Sequence, residues 1–500
     1  MVVKSEHIRC SEDLPGGVTQ FISGQERGRV GEGDYLRIGS IPCNPLKHLS
    51  VDTQGGSLLV SGGAPISNLP IPSTEPEEAT HVHCLVTASR FVSQFAKPAK
   101  YFVIPLFNFL SEFCEEDAGL RSHPLRVNVE SESHMIVFRR NASLAFIEPL
   151  PDYQDRRQQL VGKKTAATVT AVLVGDLTED ESRDCKLRPW TAERLLQVLS
   201  FATGTFVGAP WVEYRDGDAG LVARDHMVLG RRDFEDGHGV IREAMHRGIG
   251  HLITAAMEKF ASESPSKTMA MVYAVKAGIF RKGSVEDLLR AVVSGLECLF
   301  TRKEIKGESL LSGLENGQAL CVRDTLKTAE KTIREFATSL VASREPADKI
   351  EEWRNILRRI ADKVRGVDVA NDFGRKVHKL LQAYGLPDAD LAEKYFADSG
   401  LLSEAKAKSW YDLIGKYRNM AAHTGYFEFA EGKYDKLVVR SVADHLHDIV
   451  IRSVLIDVGY KGTYQTPLSP SPTSVPVNWL TQATFGNVLG RYKSVLRRTN

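Results

Sequence analysis

Trp410-Tyr411-Asp412-Leu413-Ile414-Gly415-Lys416-Tyr417-Arg418-Asn419-Met420-Ala421-Ala422-His423-Thr424-Gly425 is the stretch from which the rest of the chain can be read. Trp410, Leu413, Ile414 and Tyr417 recur at helical spacing and share one face, so the segment predicts an amphipathic helix. Arg418 opens a new turn with Asn419 beside it. His423 stands five residues on, about 140° around an ideal helix, so a straight helix does not aim both side chains at one point. Thr424-Gly425 supplies a helix end, because glycine accepts the left-handed cap, and a frayed last turn can swing His423 back toward Arg418.

An amphipathic helix needs other helices on which to bury its apolar face. From about Asp233 onward helical periodicity dominates, with predicted helices at 240–260, 267–280, 285–300, 318–343, 347–384 (broken around 366–374), 404–422 and 434–458. In the third of these Ser284 can cap with Asp287, and Leu288, Leu289, Val292, Leu296 and Leu299 mark the buried stripe. Up to about residue 230 the texture is different. Glycine and proline punctuate short apolar runs; 134–138 and 143–147 read as a hairpin, 167–174 as a strand and 190–201 as a helix. A second hairpin joins 205–214 to 220–223 through Asp216-Gly217.

The expected fold class is therefore α+β: a mixed, β-rich N-terminal domain over 1–230, then an all-α helical bundle over 231–464. The proline-rich stretch 69–76 can divide the first domain into two lobes. Residues 465–477, rich in Pro and Ser, predict an extended linker. Residues 478–500 predict an amphipathic C-terminal helix, with Trp479, Phe485 and Val488 on one face and Arg491, Lys493 and Arg497 on the other.

Composition excludes several classes. Over 500 residues, 64 Lys and Arg nearly balance 63 Asp and Glu, which argues against coating nucleic acid through bulk charge; any such contact must be local. The 7 cysteines form no CxxC pair and no leader segment is evident, so reduced thiols in the cytoplasm are expected. No apolar run is long enough to span a bilayer, so no membrane association is expected.

An arginine and a histidine at one helix end form a phosphate-gripping cation and a group that titrates near neutral pH. With 14 histidines in the chain, spacing alone does not single them out. Arg440 with His445 and His447 reads instead as a solvated helix face with one histidine near the core, and Arg231, Arg232 and His238 as a loop. Glu297 could pair with Arg418, although a plain solvent-facing glutamate is the expected reading. His81-Val82-His83-Cys84 offers metal-like ligands without a second cluster nearby, and Gly162-Lys163-Lys164-Thr165 lacks the upstream glycine of a phosphate loop.

Arg418-Asn419-x3-His423 on the penultimate helix of a bundle, preceded by the aliphatic helix that carries Gly295-Leu296-Glu297-Cys298-Leu299-Phe300, resembles the HEPN superfamily of ribonucleases. The resemblance covers roughly 284–464. Leu196-Leu199-Ser200-Phe201-Ala202-x-Gly204, the Asp216-Gly217 turn and Gly459-Tyr460-Lys461-Gly462 also resemble abortive-infection proteins of the ApeA type. The segment between Phe300 and Glu404 is longer than the minimal HEPN core has there.

The resemblance implies metal-independent RNA cleavage with Arg418 and His423 catalytic, Asn419 supporting, and no metal or cofactor. It implies tRNA or single-stranded RNA as substrate, a homodimer or higher homo-oligomer, and a phage-derived trigger sensed through the N-terminal domain. A non-catalytic HEPN module for dimerisation, RNA or nucleotide binding, or scaffolding is the alternative. Hydrolysis of another phosphoester is a third.

Overall fold

The structure, a computed structural model, describes residues 97–111, 124–125, 135–140, 143–163, 168–229, 234–241, 248–260, 263, 265–305, 316–340, 347–366, 373–398, 401–404, 407–423, 427, 436–468, 474–481, 484 and 486–487, together with the backbone of strands at 9–10, 18–23, 34–39, 49–53, 56–65 and 81–93. Two compact units result. One comprises Met1–Gly295, Ala443–Trp479 and Arg491–Asn500; the other comprises Leu296–Val442 and Leu480–Gly490.

The first unit is organised by an antiparallel sheet. Six strands of residues 101–229 lie in the order Ile136–Arg140, Ser143–Pro149, Val169–Asp176, Tyr101–Phe107, Ala209–Arg215 and Leu221–Leu229, after which the sheet continues through His81–Ser93. The expected hairpin pairs Val137 with Phe146 and Phe138 with Ala145. The strand Val169–Asp176 is central, and its run from Thr170 to Gly175 is buried. Burial on both faces is why it reads as a continuous apolar run rather than an alternation. Its neighbour contains Pro105, which has no N–H to give. The chain tolerates it because the ladder to Ala209–Arg215 covers only residues 101–103 and then skips to a lone bridge between Phe107 and Gly208.

Helix Thr191–Thr203 closes on Gly204, which has a positive φ of 73°. A Cβ on Gly204 would stand 2.2 Å from the carbonyl oxygen of His238, and one on Gly237 would stand 2.1 Å from that of Gly204. Two glycines thus let the segment 234–241 lie directly on the helix end, where Val240 and Ile241 both donate to Ala202 O. Residues 240–241 are therefore not helical, and of the helix expected over 240–260 the described part is Gly248–Phe260. That helix packs on the hairpin: a Cβ on Gly250 would meet Val137 O at 2.3 Å, and Arg139 N donates to Thr254 Oγ1.

Helix Lys436–Asp457 departs furthest from expectation. In place of a solvated face, Asp444, His445, His447, Asp448 and Arg452 are all at most 1% exposed. Asp444, His447, Asp448 and Arg452 find hydrogen-bond partners within the unit. Asp448 accepts from Arg452 Nε at 2.7 Å, Tyr464 Oη at 2.8 Å and Thr466 Oγ1 at 2.7 Å, and Tyr464 Oη in turn accepts from Trp479 Nε1.

The same bonds revise the linker. Residues 465–477 are not a free spacer: Thr463–Gln465 pairs antiparallel with Ser474–Pro476, and Thr466, Leu468 and Val477 are buried. The expected C-terminal helix over 478–500 lies largely outside the described residues, as does the proline-rich division at 69–76. Among the described residues no helix is long and apolar enough to cross a membrane.

In the second unit the predicted helices appear as Asn316–Ser339, Ala347–Gly366, Phe373–Tyr384 and Trp410–His423, joined by two that periodicity missed, Asp388–Asp398 and Leu401–Glu404. The helix expected over 347–384 is described in two pieces, ending at Gly366 and starting again at Phe373, and its expected interruption lies outside the described residues. The preceding helix, Val285–Arg302, starts as expected, with Glu286 N and Asp287 N both donating to Ser284 Oγ.

The sheet unit also contains a buried ion pair with a pH signature. Arg140 on the hairpin grips both carboxylate oxygens of Glu181, at 2.8 and 2.7 Å, with the two side chains 2% and 1% exposed. Burial pushes the Glu181 carboxyl up, but Arg140 and the N–H donors of Arg188 and Thr178 outweigh it and hold the group at about 2. A carboxyl held below its unfolded value stabilises the fold above that value. The contribution disappears as pH falls from about 4.5 toward 2, a loss of about 3 kcal/mol. Urea unfolding at pH 7 should show Glu181→Gln destabilised by about 3–5 kcal/mol, with a shallower acid dependence than wild type. Equal acid sensitivity in the variant would assign that dependence to other groups.

Candidate functional site

The helix that opened the sequence reading is built as expected up to its last turn. Ser409 Oγ accepts from Asp412 N, the carboxylate of Glu393 accepts from Trp410 N, and Trp410, Leu413, Ile414 and Tyr417 are at most 2% exposed. Arg418 follows at the edge of this buried face, with a side chain 26% exposed.

Three neighbours hold its guanidinium. Nη2 donates to Glu297 Oε1 at 3.1 Å, Nη1 points at Asn419 Oδ1 at 3.4 Å, and Cζ lies 5.9 Å from the centre of the Phe373 ring. Nε is buried and makes no hydrogen bond. The pairing with Glu297, disfavoured from sequence, is therefore present, although the Glu297 side chain stays 49% exposed. An exposed pair of this kind adds about 0–1 kcal/mol to stability, so its effect is to orient Arg418. His423 is the last residue of the helix. Its side chain and Thr424-Gly425 lie outside the described residues, and so does the geometry of any approach to Arg418.

Glu297 also borders a cleft of about 590 Å³ lined by Phe300, Thr301, Glu304, Ile305 and Lys376. Phe300 meets Phe373 edge to face at 5.4 Å, the same ring over which Arg418 lies. The wall is the end of helix Val285–Arg302. There Ile305 N donates back to Phe300 O and Glu304 N to Thr301 O, with Glu304 at a φ of 53° where glycine is usual. Glu304 thus caps the helix in the left-handed region while lining the cleft.

A second histidine, which the sequence reading passed over, stands in this unit. His378 Nδ1 is 2.6 Å from Tyr411 Oη, and His378 Nε2 is 2.9 Å from Gln382 Nε2. Tyr411 is seven residues before Arg418 and so on the same stripe of the helix, about 10 Å along it. A Cβ on Gly374 would stand 2.3 Å from Tyr411 O, so this glycine permits the close crossing that sets His378 against Tyr411. The only signals in sequence were the seven-residue spacing and an unexplained glycine.

The two dismissed histidine groups converge in the sheet unit. His238 and His447 rings are 6.1 Å apart; Arg281 bonds Asp444 at 2.9 Å, contacts His238 Nδ1 at 3.3 Å and donates to Pro467 O. Since arginine only donates, His238 Nδ1 accepts, and its Nε2–H donates to Gln465 O at 3.0 Å. His447 Nε2 bonds Ala274 O. Both nitrogens of His238 are committed, which makes this cluster a clamp on the 463–468 segment and leaves neither His238 nitrogen for substrate.

Among the described residues no group of three or more His, Cys, Asp or Glu stands together as a metal site. The side chains of His81, His83 and Cys84 lie outside them. Comparison of the chain with protein-family models, curated proteins and solved structures found no match.

Two outcomes follow from these geometries. Glu304→Gly should raise stability by about 1 kcal/mol in urea unfolding, because it relieves a left-handed glutamate; a loss would show that its carboxylate contributes more than the backbone costs. Burial, then the Arg281 cation, push the His238 imidazole down to about 4. Between pH 6.5 and 4 the unfolded chain then binds a proton that the folded one does not, so stability should fall as pH falls, by about 3 kcal/mol. Denaturation midpoints of His238→Gln across that range should show the slope flattened; an unchanged slope would place it on another group.

Proposed function

We propose that this protein is a metal-independent endoribonuclease whose helical unit is a HEPN module and whose site is formed by Arg418 and His423 with Asn419 in support. The observation that carries the reading is the Arg418 guanidinium, fixed by Glu297 and Phe373 at the edge of a buried helix face whose last residue is His423. Such a group is pre-oriented for a phosphoryl oxygen and keeps its charge as the phosphorane forms.

RNA brings its own nucleophile. The 2′-hydroxyl attacks phosphorus, the P–O5′ bond breaks, and the products are a 2′,3′-cyclic phosphate and a 5′-hydroxyl. The attacking oxygen must lose a proton and the leaving oxygen must gain one. An imidazole near pKa 6.5 suits either step. One copy of the motif supplies one such imidazole, so two-sided transfer is completed by the motif of a second copy, in a homodimer or higher oligomer. We place the activity in abortive anti-phage defence, with tRNA or single-stranded RNA as substrate and the β-rich N-terminal domain answering a phage-derived trigger.

One observation favours a second reading. Glu297 partly neutralises Arg418, which suits a non-catalytic HEPN module that binds RNA, a nucleotide or a partner.

Incubation of the full-length protein with tRNA and with single-stranded RNA, with and without EDTA, separates the two. Wild type should leave cyclic phosphate ends and be indifferent to EDTA, and His423→Ala and Arg418→Ala should each lower the rate by about 100-fold or more. Equal cleavage by Arg418→Ala would move the site elsewhere, and loss on adding EDTA would remove the metal-free mechanism. Ends without cyclic phosphate would indicate a different phosphoester chemistry.

A further inference from the structure

Helices Asn316–Ser339 and Ala347–Gly366 are joined by a short connection and form a hairpin, with Arg354 Nη2 of the second donating to Leu340 O at the end of the first. The second helix has apolar residues over an arc of about 140°. Half of that arc is used within the hairpin, where Ala361 is buried and Ile350 and Leu357 are half-buried. The other half is open: Trp353 is 60% exposed, Ile356 38% and Ile360 42%, at the i, i+3, i+7 spacing of a coiled-coil seam. On the first helix Phe336, one turn before Leu340 and so at the same end of the hairpin as Trp353, is 57% exposed. A tryptophan, a phenylalanine and two isoleucines open to water on one hairpin are a surface built for contact.

We propose that this stripe is a self-association surface, on which helix Ala347–Gly366 packs antiparallel against the same helix of a second copy of the chain. The charges beside the stripe select this occupant. On one edge Glu351 already pairs with Arg354 and Arg358. On the other edge Glu352 and Arg359 are exposed, two turns apart, and neither has an ion-pair partner among the described residues. A two-fold axis near Asn355 and Ile356 brings Glu352 of each copy opposite Arg359 of the other and closes the open stripe on itself. A partner of one sign, such as an acidic peptide or an anionic membrane, would meet one of the two as a repulsion. The interface is isologous, needs no residue of the Arg418 site, and stands whether or not the chain cleaves RNA.

Sedimentation velocity of the full-length protein across a concentration series tests it. Wild type should be a dimer with a micromolar dissociation constant, in keeping with an interface at the small end of the stable range. Trp353→Glu and Ile356→Glu, both at exposed positions and checked for unchanged circular dichroism, should raise that constant by about tenfold or more. Glu352→Arg and Arg359→Glu should each weaken association several-fold, and the double swap should restore it, because in an antiparallel pair it rebuilds both cross-copy contacts. A monomeric wild type would overturn the proposal. So would a dimer indifferent to Trp353→Glu, or a double swap no better than either single change.

Discussion

A carboxylate with no access to water, Asp448, is the constraint around which the sheet unit is arranged. Its three donors come from Arg452 one turn on and from Tyr464 and Thr466 beyond the helix end. An ionised group cannot be buried without such partners, since the desolvation cost is several kcal/mol. The chain after Asp457 must therefore fold back on its own helix, and Thr463–Gln465 pairs with Ser474–Pro476 where the composition suggests a tether. The Arg281, Asp444 and His238 clamp fixes the same segment from the other side, through the carbonyls of Pro467 and Gln465. Proline gives no N–H but keeps its carbonyl, and it is this carbonyl of Pro467 that Arg281 uses.

Legibility in sequence followed the range of the determining contact. Helix existence, the Ser284 cap and the buried face of Trp410, Leu413, Ile414 and Tyr417 are local facts, and periodicity and capping chemistry suffice for them. The fate of Asp444, His447 and Asp448 is not local. Polar residues at helical positions read as a wet face unless the distant donors are known, and those donors lie up to 163 residues away, as with Arg281 and Asp444. The segment 234–241 was illegible for a related reason: it is held by the near-contact of Gly204 and Gly237, which only their shared place in the fold reveals.

The candidate site divides along the same line. Arg418, Asn419 and His423 are neighbours on one helix and visible as a motif. Glu297 is 121 residues from Arg418, and only the packing of the two helices brings it near. His378 escaped notice because its partner, Tyr411, is 33 residues on.

Glu297 sharpens what the site must do to act on a polyanion. The chain as a whole is nearly neutral, so attraction has to come from local cations, and Arg418 shares its charge with a carboxylate. A phosphate arriving at Arg418 cannot take the donor that Glu297 holds without displacing it. It has Nη1 and the outward edge of the guanidinium available, and Asn419 sits weakly on Nη1 at 3.4 Å. Displacing that contact costs little, whereas the Glu297 bond and the Phe373 ring keep the plane of the group fixed. The arrangement therefore gives up part of the arginine's long-range pull and keeps its orientation, which favours a ligand already delivered by other contacts. Lys376, which lines the same cleft as Glu297, is a cation that could supply one of them.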